Sequence, residues 1–499
     1  MNEKKILAID QSTSGTKALI IDSDGRITHR CTENHRQFYP QPDWVEHDPV
    51  EIWEKTKKAI HSVLKESGTH VNHIVAIAIT NQRETVVVWD RKTGKPVYNA
   101  IVWQCRRGAE SCKQLREQGH EVLFEKKTGL IIDPYFSATG IQWILDNVSD
   151  ARKKATAGDL VFGTMDAWLI YHLTGKEIIA TDYSNACRTM LFNIHELKWD
   201  KKLLSLLDIP YSMVPDVLPS DTLFGHTAAG DLFNQEIPIT GVMGDSHAAL
   251  FGQHCFEPGM GKATFGTGSS IMMNIGKHPK KSPKGLVTSI GWACKDSVDY
   301  VFEGNIHCTG DTISWLANDL ELMENPADSE QFALSVPDTN DTYLVPAFTG
   351  LGAPYWENRA RASISGIRRS TRKAHIVRAG LESIAYQVRD LIDCIIQNAQ
   401  LHLKELRVDG GPTRNGFLMQ FLADMVDCKI ICTQAEEISA LGAALMAGLT
   451  TGLWQGYKEL ASLRQTDREY MPTMDVEQRQ RLYDGWKKAV QSVLDDAKR

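Results

Sequence analysis

A segment near the start of the chain, Ile9-Asp10-Gln11-Ser12-Thr13-Ser14-Gly15-Thr16, has a counterpart at mid-chain in Thr264-Phe265-Gly266-Thr267-Gly268-Ser269-Ser270. Each is a short Gly/Ser/Thr turn between two strand-like runs. This echo constrains the fold more than any single boundary, because two related halves facing each other across a nucleotide cleft would produce it. Such turns offer backbone N–H groups and hydroxyls to phosphate oxygens. One of them alone reads first as a plain β-hairpin.

The rest of the chain fits an α/β protein, since β-type apolar runs alternate with longer amphipathic stretches. Strands are expected over Lys5 to Ile9, Ile74 to Ile79, Gly241 to Gly244 and Leu406 to Asp409, and ligands gather at strand ends of this kind. Helices are expected over Pro49 to Leu64, with Asp48 as cap and Pro49 at the first position, over His375 to Gln400, and over Val476 to Ala497. A length of 499 residues makes two domains the natural division.

Composition excludes several classes of function. A formal charge of −7 lacks the basic excess of a phosphate-backbone binder, which predicts no nucleic-acid partner. The cluster Arg368, Arg369, Arg372, Lys373 after a turn-like Gly366 reads as a solvated surface. No apolar run reaches the ~20 residues that span a bilayer. The opening Met1-Asn2-Glu3-Lys4-Lys5 passes at once into a strand too brief for a signal-peptide core. Ten dispersed cysteines, of which Cys428 and Cys432 are the closest couple, form no zinc pattern and predict reduced thiols in a cytoplasmic protein.

Three segments narrow the reading: AITNQRE at Ala78 to Glu84, YNAIVWQCRR at Tyr98 to Arg107, and TGLIIDPYFSATG at Thr128 to Gly140. Together with TDYSNACRTMLFNI, LVPAFTGLGAPYW, LESIAYQVRD and LRVDGGPTRNGFLMQF they resemble the FGGY carbohydrate kinases, and within that family the glycerol kinases, in order and over nearly the whole chain. The resemblance implies two ribonuclease-H-like domains of the actin type with the active site in the cleft between them. It places polyol and phosphate binding in residues 1–250 and nucleotide binding in 251–499, with ATP and Mg²⁺ as cofactors and a homodimer or higher homo-oligomer as the assembly.

Residue by residue, the resemblance makes Asp245, in GDSHAAL, the catalytic base. Asp10 becomes the magnesium carboxylate, in keeping with the taste of a hard cation for carboxylate, phosphate and water oxygens. Thr13, Ser14, Gly15 and Lys17 would meet the phosphates, and Gly266, Thr267, Gly310, Ser314, Gly411 and Asn415 the nucleotide. Arg83, Glu84, Trp103, Tyr135 and Asp245 would form the polyol pocket. An Arg only donates and an ionised Glu only accepts, which suits hydroxyls that do both.

The sequence also departs from that pattern. Lys17 stands where glycerol kinases usually carry Arg. Ser246 and Ser270 replace Gln and Phe, which predicts a larger and more hydrophilic pocket suited to a four- to six-carbon polyol or ketose as well as to glycerol. Ser314 replaces a Gln near adenine, with Asp311 and Thr312 altering its surroundings, and Arg414 follows the glycine pair. No histidine lies between Thr227 and Met243, around Asp231-Leu232-Phe233, so control by a phospho-carrier is not expected, nor is inhibition by fructose 1,6-bisphosphate. A catalytically silent sugar sensor is the main non-enzyme alternative, and retention of both Asp10 and Asp245 argues against it.

Overall fold

The computed structural model describes every residue except 1–3, 231, 295–296, 434–436 and 464–465. Met1 to Glu3 at the start and Asp231 of the loop considered for regulation therefore lie outside the described residues.

Both Gly/Ser/Thr turns are tips of hairpins at the centre of their sheets. In the first half, β1 (Lys5–Gln11), β2 (Gly15–Ile21) and β3 (Ile27–Asn34) form an antiparallel meander. To its other side β4 (Ile74–Asn81) and β5 (Pro238–Gly244) add in parallel, giving the spatial order β5-β4-β1-β2-β3. The second half repeats this plan with β6 (Met260–Phe265), β7 (Ser269–Gly276), β8 (Val287–Cys294), β9 (Ser297–Ile306), β10 (Glu405–Gly410), β11 (Ile430–Thr433) and β12 (Thr466–Tyr470). Its central order β9-β7-β6-β10-β11 again sets an antiparallel meander beside two parallel strands. The two related halves that the echo suggests are thus present, in the two-domain α/β architecture that the resemblance implies.

Alternation along β1 directs its two faces to different helices. Leu7 and Ile9 pack on Ala59, Ile60 and Val63 of α1 (Pro49–Ser67), which starts at an Asp48 cap bonded to the Val50 N–H at 2.8 Å and stops at Gly68 with φ 61°. Ile6 and Ala8 share a cluster with α2 (Asp245–Gly252) and, from the far end of the chain, α6 (Ile438–Thr450). Between them in sequence run α3 (Gly310–Asn318), α4 (Lys373–Ala399) and α5 (Gly416–Val426), and α7 (Val476–Ala497) ends the chain.

Helices α2 and α6 cross closely because their contact is glycine: a Cβ on Gly442 would overlap the Ala248 carbonyl, and one on Gly252 would lie 2.5 Å from the Ile438 oxygen. Helix α6, from the second half of the chain, thereby rests on the first sheet, and residue 250 lies inside α2. Nine of the ten cysteines are buried, and Arg368, Arg369, Arg372 and Lys373 are exposed. Among the described residues no helix is long and apolar enough to cross a membrane.

Candidate active site

Strands β1 and β5 deliver two carboxylates to the same end of the first sheet. Asp10 closes the apolar run of β1 opposite Lys17 on β2, and Asp245 is the first residue of α2, directly after β5. Asp10 is buried, and burial moves its pKa up to about 7; Lys17 opposes the rise while Glu437 and Asp245 add to it. Asp245 is open to solvent, its side chain 40% exposed, with one oxygen 3.2 Å from Nε of Arg83.

Arg83 is the start of an ionic chain that joins the two halves. Its two terminal nitrogens donate to both oxygens of Glu303 on β9, at 3.0 and 2.8 Å. Arg188 NH1 reaches the same Glu303 at 2.7 Å, its Nε donates to Glu84 at 2.6 Å, and NH1 also donates to Ser289 Oγ at 2.8 Å. The run Asp245, Arg83, Glu303, Arg188, Glu84 thus alternates in sign, and all but Asp245 are buried. Burial opposes ionisation of Glu303, but Arg188 and Arg83 outweigh it and hold its pKa well below the ordinary carboxylate range. Glu84 itself has φ 63°, a left-handed backbone rare for a side chain of its size, fixed by Ser137 Oγ on its carbonyl at 2.7 Å and by Arg188.

Aromatic groups wall this chain. Trp103 meets Tyr135 edge-on, with ring centroids 5.6 Å apart, and its indole N–H donates to Thr13 Oγ1 of the first turn at 3.0 Å. Burial, reinforced by Glu84, raises the Tyr135 phenol, so it stays protonated and able to donate. Ser270 faces Thr264 and Asn305 across its sheet, and its Oγ is buried without a protein partner.

The second half holds a cavity of about 640 Å³ whose lining includes Gly266, Thr267, Gly310, Ser314, Gly411 and Asn415. All six second-half positions expected to meet nucleotide are therefore in one place, with Asp311 and Arg414 beside them. Its glycines differ in what they do. Gly410 has φ 99°, and a Cβ there would overlap the Phe265 carbonyl, so the turn itself demands glycine. A Cβ on Gly411 would meet nothing within 4 Å, which leaves room for a ligand to approach the backbone. The Asn415 side chain caps α5 through the Leu418 N–H at 2.9 Å.

Two model matches cover most of the chain: the N-terminal domain of the FGGY family of carbohydrate kinases over residues 5–252 and its C-terminal domain over 261–451. "Glycerol kinase 2" of Thermotoga maritima is 50% identical over 496 residues, 99% of this chain and 100% of the relative. The chain belongs to the FGGY carbohydrate kinases. It is an ATP-dependent phosphotransferase acting on an alcohol group. Glycerol kinase of Halothermothrix orenii is 48% identical over 99% of both chains. Among solved structures, Plasmodium falciparum glycerol kinase with ADP matches at a TM-score of 0.94 and 37% identity, covering 99% of this chain and 98% of that one. Xylulose kinase from Lactobacillus acidophilus shares the fold at a TM-score of 0.90 and 20% identity, covering 98% of both chains.

Within this kinase the first turn is less open than its composition suggests. Gly15 is buried against β3, where a Cβ would come 2.8 Å from Asn34 Oδ1, while Ser14 stands exposed at the tip. Lys17 is already paired: its ammonium lies 2.6 Å from Glu437, the residue before α6, which also takes Arg30 at 3.0 Å. Glu303 and Arg188 are the site residues that sequence reasoning missed. Arg188 was visible within TDYSNACRTMLFNI without a task, and a single Glu in a strand carries no signal at all. No cluster of three or more metal-ligating side chains occurs among the described residues.

Proposed function

We propose that this kinase transfers the γ-phosphoryl group of ATP to a terminal hydroxyl of a small polyol, with glycerol as the reference substrate. The observation that carries the reading is Asp245: an accessible carboxylate at a strand end, beside a fixed guanidinium and within the electrostatic reach of Asp10. In this reading Asp245 takes the hydroxyl proton as the substrate oxygen bonds to the γ-phosphorus, and the bond to the bridging oxygen of ADP breaks. Arg83 and Glu84 orient neighbouring hydroxyls, Trp103 covers the C–H face, and Tyr135 donates from its phenol. Residues 1–250 serve polyol and phosphates, and 251–499 hold the nucleotide through Gly266, Thr267, Gly310, Ser314, Gly411 and Asn415. Thr13, Ser14, Gly15 and Lys17 serve the phosphates, for which Lys17 exchanges its bond to Glu437.

Asp10, near the end of β1, is the carboxylate that would hold Mg²⁺, where Glu437 and Asp245 add negative charge that a cation would offset together with Lys17. The metal would shield the triphosphate charge. We place the enzyme in the cytoplasm as a homodimer or higher homo-oligomer, an assembly that light scattering on the purified protein tests.

Relatives at about half identity that are named glycerol kinase support glycerol. One feature favours a second reading, a four- to six-carbon polyol or ketose: Ser246 and Ser270 are both small, which leaves space for a longer chain. ADP release with Mg-ATP across polyols and ketoses of three to six carbons, with Asp245→Asn as control, tests both.

A further inference from the structure

Behind the polyol site lies a buried polar cluster to which none of these roles extends. Asp182 ends the short strand Ala180–Asp182 and caps the single turn Tyr183–Ala186. Its carboxylate, wholly buried, accepts from Ser184 N–H and Oγ and from Asn185 N–H and Nδ2, all at 2.9 Å, and from Ser220 Oγ at 2.8 Å. A four-residue turn does not need a buried carboxylate, which is costly unless fully hydrogen-bonded. What sets this one apart is where its side-chain donors lead.

Ser184 has one hydroxyl proton and gives it to Asp182, so its oxygen is left to accept from Gly244 N–H at 2.9 Å. Gly244 immediately precedes Asp245. The Asn185 amide nitrogen is fixed in the same manner. A carboxylate only accepts, so Nδ2 of Asn185 faces it, and both ends of the amide pair with Asn81. Asn185 Nδ2 donates to Asn81 Oδ1 at 3.1 Å, Asn81 Nδ2 donates back to Asn185 Oδ1 at 2.9 Å and also to the Gln82 carbonyl at 2.9 Å. Gln82 immediately precedes Arg83 and Glu84. The third arm, through Ser220 Oγ, accepts from the Ala293 N–H of β8 at 3.3 Å and touches neither functional segment.

We infer that Asp182 is the positioning residue of this active site, aiming Asp245 through Ser184 and Gly244, and aiming Arg83 and Glu84 through Asn185 and Asn81. The inference rests on the roles given above to Asp245, Arg83 and Glu84. Its distinctive consequence is that the two arms fail differently. Loosening the Ser184 arm disturbs the base and acts on kcat; loosening the Asn185 arm disturbs the polyol donors and acts on KM.

The test is steady-state ADP release with Mg-ATP and glycerol for Ser184→Ala, Asn185→Ala and Ser220→Ala, beside wild type and Asp245→Asn, with thermal unfolding of each. Small misplacements of reacting groups cost up to about a hundredfold, so Ser184→Ala is expected to lower kcat about tenfold or more with KM for glycerol within about twofold. Asn185→Ala is expected to raise KM for glycerol by about tenfold with the smaller change in kcat. Ser220→Ala is expected to lower the melting temperature and leave both constants at wild-type values. Ser184→Cys, of nearly the same shape but a weaker acceptor, replaces Ser184→Ala if the latter does not fold, and is expected to lower kcat by less. If the Ser184 and Asn185 variants lose stability while kcat and KM match those of Ser220→Ala, the cluster only supports the fold and the inference falls alone. If wild type releases no ADP with any polyol, or Asp245→Asn is fully active, the reading of the site falls and takes the inference with it.

Discussion

Replacing Glu303 by Gln probes the link between the two halves at one atom pair. Glu303 comes from β9 of the second half, yet both oxygens are bound by Arg83 of the first, and Arg188 shares one of them. With Glu303 ionised, Asp245, Glu303 and Glu84 face Arg83 and Arg188; with Gln, the buried guanidiniums lose their shared anion while the shape is kept. Breaking a buried pair by removing one partner costs about 3–5 kcal/mol of stability. The effect on substrate is separate. Glu303 holds the Arg83 fork in one orientation, and an Arg side chain carries about 2 kcal/mol of rotamer freedom, which glycerol would then have to freeze on binding. At 1.4 kcal/mol per tenfold, KM for glycerol should rise about 30-fold. Steady-state ADP release at saturating Mg-ATP measures this, and differential scanning measures the stability loss. A variant whose KM for glycerol stays within about twofold of wild type would refute the idea that Glu303 preorganises Arg83.

Other substitutions separate further parts of the account. Asp245→Asn should lower kcat by about 10²–10⁴-fold with KM for glycerol little changed, as expected for loss of a general base, and ADP release reads this directly. Gly411→Ala should leave the melting temperature unchanged and raise KM for ATP, because only ligand competes for that space; Gly410→Ala should destabilise by at least about 1 kcal/mol through its φ of 99°. Ser246→Gln with Ser270→Phe should shift the kcat/KM ratio toward glycerol and away from longer polyols by about tenfold or more on the substrate panel. Because Glu303 is held well below its ordinary pKa of about 4.3, its contribution is present above that pH and lost as pH falls below it. Acid unfolding followed below pH 4.3 should therefore be less steep in Glu303→Gln than in wild type.

Much of this architecture could be read from local pattern. Strand ends are local: Asp10 and Asp245 follow apolar runs, and the helix Val476–Ala497 has the limits that its periodicity predicts. The echo of two turns was legible because each half closes its central hairpin with the same residue types. What pattern could not supply is partnership across distance. Arg188 meets Glu84 over 104 residues, and Arg83 meets Glu303 over 220, with no periodicity to announce either. Gly410 and Gly411 are adjacent in sequence and indistinguishable there; only the position of the Phe265 carbonyl shows which one the turn requires. Lys17 likewise reads as a free charge until Glu437 arrives with α6.

The central claim is that the two carboxylates and the cavity serve phosphoryl transfer to a polyol, and ADP release by the purified protein with Mg-ATP tests it most directly. The account predicts release that depends on added glycerol or a longer polyol and falls by at least about 100-fold in Asp245→Asn. Release of the same size without any polyol, or undiminished in the variant, would contradict it.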